Sequence, residues 1–414
     1  MKKTVFFILT AFSILLATCS CINAEYIPGD DNPYTPLSLS TRQQEMLNTG
    51  HKFSFEFLDR IEKDSPGEDY VISPLSMQIL LGMILNGAQG KTAEEICSVL
   101  GYGKESTAEV NEFCLAMLTQ LPGLDKKTKL SMANSIFVDK GYDLLNSYKA
   151  TVKKYYDAEI DNLDFNDTKG SADIINKWCS DHTNGLIPKI LDEVSPAMLC
   201  YLLNAMYFKG EWVNKFNANS TRDEAFYRDG KECRKVPMMY NYRKFGYTEN
   251  DLFQAVSLPY GNSVFSMTVL LPKSKHNTEE ITGYLKANGW RSVAGSMFSR
   301  NVDLSLPRFE TKYHKNLNEL LSKMGMPLSF TGGADFSLMS PDALKLSFVQ
   351  QDAVIKVDEE GAEAAAVSSA GMEKTTAIPQ DPPVVFRADH PFIYVISEAG
   401  SGAILFAGRY SAFK

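Results

Sequence analysis

The distribution of apolar segments along the 414-residue chain places the strongest constraint on its fold. After residue 200 the sequence contains a series of short β-like runs, and several of them are apolar almost throughout, as expected of strands buried on both faces. The strands predicted in this half are 201–208, 255–259, 263–271, 302–307, 354–357, 384–387, 392–397 and 403–408. Helical patterns dominate before residue 200, so the sequence predicts an α+β fold.

One helix of the first half is predicted to be buried throughout. Ser73 is a suitable N-cap and Pro74 occupies the first helical position, ahead of the apolar stretch 77–85. A second helix is expected to start with Thr92 as its cap and Glu95 completing a capping box. Further elements are predicted as helices from Ser40 and over 106–121, 145–156 and 170–182, and as a strand over 129–138.

The N-terminal residues have the features of an export signal. Lys2 and Lys3 precede an apolar run, 5–16, that is too short to span a bilayer stably. The sequence Leu-Ala-Thr-Cys ending at Cys19 resembles a bacterial lipobox, in which the cysteine is lipidated, and Cys21 is a second candidate. Ordinary cleavage after Ala24 is the alternative.

These features predict three regions: a signal peptide over 1–18, or 1–24 with ordinary cleavage, then a tether over 19–39 and one domain over 40–414. Neither a repeat nor a Pro- or Ser-rich linker divides the domain. The expected location is the bacterial envelope or cell surface, with a lipid anchor as the only membrane contact. Free secretion is the alternative.

Composition and motifs exclude several classes of function. The net charge of −8 and the absence of a Lys/Arg cluster argue against binding to nucleic acid. The chain has no CxxC pair, HExxH, GxSxG elbow, kinase signature or P-loop, so no catalytic residue, metal site or cofactor is predicted. The cysteines outside the signal are odd in number and isolated, which does not indicate a disulfide framework: Cys97, Cys114, Cys179, Cys200 and Cys233.

Five motifs follow one another in the order of a known family. The most specific is NAMYFKGEW over 204–212, and the others are SPLS over 73–76, DEEGAEAAA over 358–366, HPFI over 390–393 and FAGR over 406–409. From about residue 40 to residue 414 the chain therefore resembles a serpin. The resemblance implies three β-sheets, about eight or nine helices, and an exposed reactive-centre loop over about 359–383.

The resemblance also implies a suicide inhibitor of serine proteases, with cysteine proteases as further targets, and no enzyme activity. A target protease cleaves the loop and forms an acyl-enzyme, and the freed loop inserts as a strand into the central sheet. The inserting loop drags the acylated protease with it. A displacement of about 1 Å in a catalytic site can cost roughly a hundredfold in rate, so hydrolysis of the acyl-enzyme stops. The inhibitor is expected to be a monomer. A non-inhibitory serpin-fold binding protein at the cell surface is the alternative, and an enzyme is a third.

The hinge of the loop carries small residues at alternate positions. The resemblance places this hinge at Glu359, Glu360, Gly361, Ala362, Glu363, Ala364, Ala365 and Ala366. In a strand, one face would carry Ala362, Ala364, Ala366, Ser368 and Ala370, all of them small. The charge of Glu363 falls on the opposite face. An Ala-rich helix is the alternative, which Gly361 and Gly371 disfavour.

The scissile bond is expected at Thr375–Thr376 from the family's spacing after Gly361, with Lys374–Thr375 as the alternative and neighbours such as Met372 behind it. Cleavage after Thr375 suits elastase-like proteases with small pockets. Cleavage after Lys374 suits trypsin-like proteases, whose pocket carries a carboxylate. The segment 379–383 is expected to be a stiff spacer.

A polar gate beneath the moving strands is implied at Ser73, Ser76, Asn204 and Gln351. Many serpins carry a histidine at the position of Gln351. Glutamine also donates and accepts hydrogen bonds, so the gate can be satisfied, but its pH response becomes doubtful. Simple core packing of Ser73 and Ser76 is the alternative.

Overall fold

The computed structural model describes residues 31–102, 106–361 and 382–413. The helices of these ranges are α1 (Thr41–Asp64), α2 (Pro74–Leu85), α3 (Gly90–Leu100), α4 (Thr107–Gln120), α5 (Asn146–Tyr156), α6 (Thr168–His182), α7 (Thr278–Asn288), α8 (Arg291–Ala294) and α9 (Asn318–Met324). The strands are β1 (Tyr70–Ile72), β2 (Thr128–Asp139), β3 (Glu159–Leu163), β4 (Cys200–Gly210), β5 (Arg222–Arg228), β6 (Lys231–Glu249), β7 (Phe253–Tyr260), β8 (Phe265–Pro272), β9 (Phe298–Pro307), β10 (Phe309–Asn316), β11 (Gln350–Val357), β12 (Val384–Arg387), β13 (Phe392–Glu398) and β14 (Ile404–Tyr410).

The described strands form three separately hydrogen-bonded sheets. The largest runs β1-β14-β13-β8-β7-β6-β9-β12, with β5 paired to β6. The second runs β3-β2-β4, and the third consists of β10 and β11. The predicted α+β class, with three sheets and eight or nine helices, is therefore confirmed.

Helix α2 is buried along its whole length between the sheets. All twelve of its residues are buried, which explains why its sequence is apolar on every side. The Ser73 hydroxyl caps the helix by accepting the backbone N–H of Ser76 at 3.3 Å, and Pro74 takes the first position because its missing N–H has no helical partner there. The predicted start of this helix is confirmed.

Strands β4 and β11 face each other without a backbone ladder between them in the described part of the chain. Leu203 and Asn204 of β4 and Gln350 and Asp352 of β11 line a common cavity of about 30 Å³. Tyr201 of β4 also makes a T-shaped ring contact with Phe348, which lies two residues before β11. The central β-structure is thus divided along the line between β4 and β11.

The start of α3 differs from its prediction. The helix begins at Gly90 with Gln89 as its N-cap, and Thr92 and Glu95 lie inside it. The Thr92 hydroxyl accepts the N–H of Asp335 at 2.9 Å, and the Glu95 carboxylate accepts the N–H of Leu328 at 2.9 Å. The predicted capping box is wrong because both side chains serve tertiary contacts instead.

Residues 31–39 contain no helix or strand and lie on the folded body; we call them the N-terminal strap. Asn32 and Leu37 are buried, and Tyr34 and Leu39 pack against the main core. This packing was not anticipated when 19–39 was predicted as a tether. The remainder of that tether, 19–30, and the signal peptide lie outside the described residues. Within the described ranges, no helix is both long and apolar enough to cross a membrane.

Candidate functional site

The segment after β11 forms a tight turn at residues 358–361. The backbone N–H of Asp358 donates to the carbonyl of Gly361 at 3.1 Å, and the N–H of Gly361 returns a bond to the carbonyl of Asp358 at 3.3 Å. The Asp358 carboxylate also accepts the N–H groups of Glu360 and Gly361 at 3.0 and 3.2 Å. This turn reverses the direction of the chain directly after the end of β11.

The turn is fastened to residues 211–216, which follow β4. Gly361 pairs with Glu211 in an isolated β-bridge. The backbone N–H of Trp212 donates to the carbonyl of Glu360 at 2.8 Å, and the N–H of Phe216 donates to the carbonyl of Glu359 at 2.8 Å. We call residues 358–361 and 211–216 together the hinge anchor, because they join the ends of β4 and β11, which have no ladder with each other in the described part of the chain.

The side chains of Trp212 and Tyr260 support the hinge anchor. The indole N–H of Trp212 donates to the carbonyl of Asp358 at 2.9 Å, and its ring stacks on Tyr260 with centroids 4.2 Å apart. Both aromatic residues are almost fully buried. Aromatic stacking and a satisfied indole N–H make this the rigid support of the turn.

Gly361 cannot be replaced by a larger residue without rearrangement. Its φ of +130° lies in a region that favours glycine. A Cβ atom at this position would lie 2.7 Å from the backbone nitrogen of Trp212 and closer still to the carbonyl oxygen of Gly210. Glycine is therefore required here because the segment after β11 lies so close to the segment after β4.

The two hinge glutamates hold separate ion pairs. Glu359 is buried, accepts the Thr221 hydroxyl at 2.6 Å and lies 3.5 Å from the Arg308 guanidinium. Glu360 accepts the Lys215 ammonium at 2.7 Å, and this hydrogen bond raises the pKa of Lys215 above its usual range. Thr221, Lys215 and Arg308 were not predicted, because their contacts span more than fifty residues and no local pattern reveals them.

The four predicted gate residues lie together around the first turn of α2. Gln351 binds the backbone of Ser73 twice: its amide nitrogen donates to the carbonyl at 2.9 Å and its oxygen accepts the N–H at 3.2 Å. The Ser76 hydroxyl donates to the side-chain oxygen of Asn204 through a short hydrogen bond. Gln351 belongs to β11 and Asn204 to β4, so one helical turn holds both sides of the divided sheet.

The polar contacts of the gate continue beyond the predicted residues. The amide nitrogen of Asn204 donates to Asn134 Oδ1 at 2.7 Å, and Asn134 Nδ2 donates to the carbonyl of Tyr156 at 2.6 Å. The Ser73 hydroxyl donates to the carbonyl of Leu405 at 2.7 Å. Every polar group named here is satisfied, as buried polar groups must be. Asn134 was missed because the strands that carry Asn134 and Asn204 were both predicted, but their pairing with each other was not.

The remaining predicted site residues lie outside the described residues. These are Ala362, Glu363, Ala364, Ala365 and Ala366 of the hinge, Lys374, Thr375 and Thr376 at the scissile bond, and the lipidation candidates Cys19 and Cys21.

The cysteines and acidic clusters of the described ranges offer little chemistry of their own. Burial raises the pKa of Cys114, Cys179 and Cys200 to about 12, so these thiols stay protonated and unreactive. Together with Cys233 they are free cysteines. No group of three or more His, Cys, Asp or Glu side chains in the described residues could hold a metal ion.

Fold and hinge together define an α+β protein whose central β-structure is divided beside the hinge anchor. A family model described as "Serpin (serine protease inhibitor)" matches residues 48–412, and the chain belongs to this family. Most members inhibit proteases and are not enzymes. The antitrypsin of Bombyx mori is 31% identical over 379 residues, covering 89% of this chain and 95% of that protein.

Two solved structures illustrate the range of similar proteins. The structure "Cleaved Serpin 42Da" has a TM-score of 0.81 at 28% identity and covers 90% of this chain and 100% of its own. A thyroxine-binding globulin in complex with thyroxine has a TM-score of 0.80 at 25% identity, covering 88% of this chain and 98% of its own. The same fold thus occurs in a cleaved serpin and in a protein that carries a small ligand.

Proposed function

We propose that the protein is a suicide inhibitor of serine proteases that acts by loop cleavage, acyl-enzyme trapping and loop insertion. One observation carries the proposal. The hinge anchor joins Glu211, one residue beyond β4, to Gly361, four residues beyond β11, and these two strands have no ladder between them in the described part of the chain. Gly361, the last described residue before the proposed loop, therefore lies at the ends of the two strands between which the loop would insert.

The unpaired edges supply the driving force of insertion. A strand entering between β4 and β11 gains main-chain hydrogen bonds on both sides, and its alternate side chains face the core. The small set beginning with Ala362 suits that face. The gate ties each edge to α2 and not to the other edge, because the Ser76 side chain binds Asn204 of β4 and the Gln351 side chain of β11 binds the Ser73 backbone.

The target is proposed to be an elastase-like protease that cleaves after Thr375, or a trypsin-like protease that cleaves after Lys374. Incubation with one enzyme of each type should give a covalent complex that survives denaturant. The same enzymes with blocked active sites are the control and should give none. Mass spectrometry of the released C-terminal peptide identifies the bond, since the peptide begins at Thr376 or at Thr375. Cleavage solely outside 371–378 contradicts the assignment.

A non-inhibitory binding protein is the second candidate. The observation in its favour is the likeness to thyroxine-binding globulin with its bound ligand. The two functions differ in one measurement. Loop cleavage of an inhibitor stabilises the protein strongly as the strand enters, so thermal unfolding before and after limited proteolysis discriminates them. An unchanged unfolding temperature after cleavage in the loop favours the binding protein.

We also propose that the protein is a monomer held at the bacterial envelope by lipid on Cys19 or Cys21. With the N-terminal strap on the body, the twelve residues 19–30 would reach at most about 40 Å from the membrane. Replacing both cysteines by Ala should release the protein into the soluble fraction, whereas Cys233→Ala, an exposed cysteine of the body, should not. A native protein that is already soluble and begins at Glu25 would contradict the anchor.

A further inference from the structure

The N-terminal strap is held by a buried asparagine. Asn32 Nδ2 donates to Asp125 Oδ1 at 2.7 Å, and the backbone N–H of Lys126 donates to Asn32 Oδ1 at 2.8 Å. Only 7% of the surface of Asn32 and 3% of that of Asp125 remain exposed. A buried amide with both ends satisfied fixes its segment in one position.

The strap makes further contacts on either side of Asn32. Asn262 Nδ2 donates to the carbonyl of Pro33 at 3.1 Å and to that of Leu124 at 2.8 Å, so that one side chain clips the strap to the body. The backbone N–H of Ser38 donates to Gln120 Oε1 at 3.0 Å. These contacts bring the strap onto the turn between β7 and β8, where Asn262 lies.

Asp125 connects the strap to that turn directly. Its second carboxylate oxygen accepts the Thr128 hydroxyl at 2.5 Å, and a Cβ atom on Gly261 would overlap the same oxygen. Gly261, whose φ is +48°, has no Cβ atom, and its backbone can therefore pack directly against the carboxylate. Any shift of Asp125 would displace Gly261, because there is no space between them.

Gly261 is one hydrogen bond away from the hinge anchor. Its N–H donates to the carbonyl of Glu211 at 2.8 Å, and Glu211 pairs with Gly361. The neighbouring Tyr260 stacks on Trp212, whose backbone and indole N–H groups both bind the hinge turn. Four successive contacts thus lead from Asn32 through Asp125, Gly261 and Glu211 to Gly361.

We infer that the N-terminal strap stabilises the hinge anchor through Asp125 and the β7–β8 turn, and so slows release of the hinge. When the strap detaches, the Asp125 carboxylate loses the Asn32 amide and the Gly261 backbone loses its fixed support. The β7–β8 turn then opens more often, and the Trp212 and Phe216 bonds to the hinge open with it, because neighbouring segments unfold locally as units. The consequence for loop insertion rests on the proposed function; the coupling itself does not.

The substitution Asn32→Asp tests the inference in the full chain. It preserves size and the acceptor for Lys126 but puts a second carboxylate against Asp125, so the strap is repelled. Amide hydrogen exchange of Trp212 and Phe216, the donors to Glu360 and Glu359, is the readout. We expect exchange about tenfold faster than in wild type, the size of effect that losing one or two hydrogen bonds produces. Thr35→Ala, on an exposed strap residue that bonds only within the strap, is the matched control and should change nothing.

Two outcomes would overturn the inference. In the first, the Lys126 amide exchanges faster, so the strap has left, while Trp212 and Phe216 exchange as in wild type. In the second, the Lys126 amide stays protected even in the double variant Asn32→Asp/Leu37→Asp, which also buries a charge in the core, so the strap is not held by these contacts.

A functional readout separates the inference from the proposed function. Stored without protease, Asn32→Asp should lose its capacity to form covalent complexes about tenfold faster than wild type, because a freed hinge lets the loop enter uncleaved. If wild type forms no complex with any serine protease, the proposed function fails. The exchange experiment still decides whether the strap supports the hinge anchor.

Discussion

The side-chain amide of Gln351 makes two hydrogen bonds with the backbone of Ser73: its nitrogen donates to the carbonyl at 2.9 Å, and its oxygen accepts the N–H at 3.2 Å. Ser73 starts α2 and Gln351 lies in β11, and both are buried. One turn further along the helix, Ser76 binds Asn204 of β4. The two edges of the divided sheet are thus tied to a common helix and not to each other.

Gln351→Leu should lower the free energy of unfolding by about 1–3 kcal/mol, because the buried N–H of Ser73 loses its partner. The Ser73 carbonyl keeps the N–H of Met77 at 3.1 Å, so only one group is orphaned. Urea unfolding measures the change. Lys356→Leu, in the same strand and partly exposed, is the control and should change stability by less than half as much. Equal losses in the two variants would mean that the pair contributes nothing specific.

Gly361→Ala should weaken the hinge anchor by about 1–3 kcal/mol, the usual cost of a strained backbone conformation, with the collision against Trp212 adding to it. We expect faster hydrogen exchange at the Trp212 and Phe216 amides and a lower urea midpoint. Gly67→Ala is the control, since Gly67 also has a positive φ of +76° but meets nothing within 4 Å. Normal protection of Trp212 in the Ala variant would contradict the close approach.

His51 should make the protein less stable in acid. Burial lowers the pKa of this histidine from its usual 6.5 to about 4, although the contact of Nε2 with the Gly402 carbonyl at 2.8 Å opposes the shift. Between these values the unfolded chain binds the proton and the folded chain does not. Stability is therefore complete above pH 6.5 and falls by roughly 3 kcal/mol as the pH drops to about 4.

Urea unfolding of wild type and His51→Gln across this range isolates the contribution of His51. The slope between pH 6.5 and 4 should be smaller in the variant; identical slopes would contradict a neutral buried histidine. His390 works in the other direction: burial alone would lower its pKa, but bonds to Asp389 and the Pro272 carbonyl outweigh it and raise the pKa. The stabilisation that His390 contributes is complete below pH 6.5 and is lost at higher pH. The two histidines therefore affect stability in different pH ranges.

Ala362→Arg should convert the inhibitor into a substrate. Ala362 belongs to the small set expected to face the core on insertion, and an arginine there would bury a cation that cannot shed its proton. Cleavage near Thr375 should continue, but covalent complexes should become rare and the cleaved variant should not gain thermal stability. Ala365→Arg, on the opposite set, should do much less harm. Efficient trapping by Ala362→Arg would exclude the insertion mechanism.

The elements that could be predicted from the sequence were those with a uniform pattern. The strand predicted at 392–397 lies within β13, whose residues are all buried, and the predicted capping of α2 by Ser73 is present, because buried strands and N-caps carry local signals. Strand β6 was missed, although it has nineteen residues, because many of them are charged and exposed. β10 was missed for the same reason, since it alternates buried residues with charged ones.

The candidate site, too, could be predicted only in part from the sequence. The gate residues could be placed together through the family resemblance, but the bonds of Glu359 to Thr221 and Arg308 depend on three segments meeting in space. The strap shows the limit most clearly. Its composition is typical of a solvated linker, and only the shape of the body around Asp125 and Gly261 makes it pack.

The division between β4 and β11 also determines how the protein should behave in concentrated solution. An edge that carries no ladder is a template for any extended chain, whether that chain is its own loop or a segment of a neighbouring molecule. The first process is independent of protein concentration, whereas the second is bimolecular. Warming a dilute sample should therefore favour inactive monomers, and warming a concentrated one should favour linear self-association.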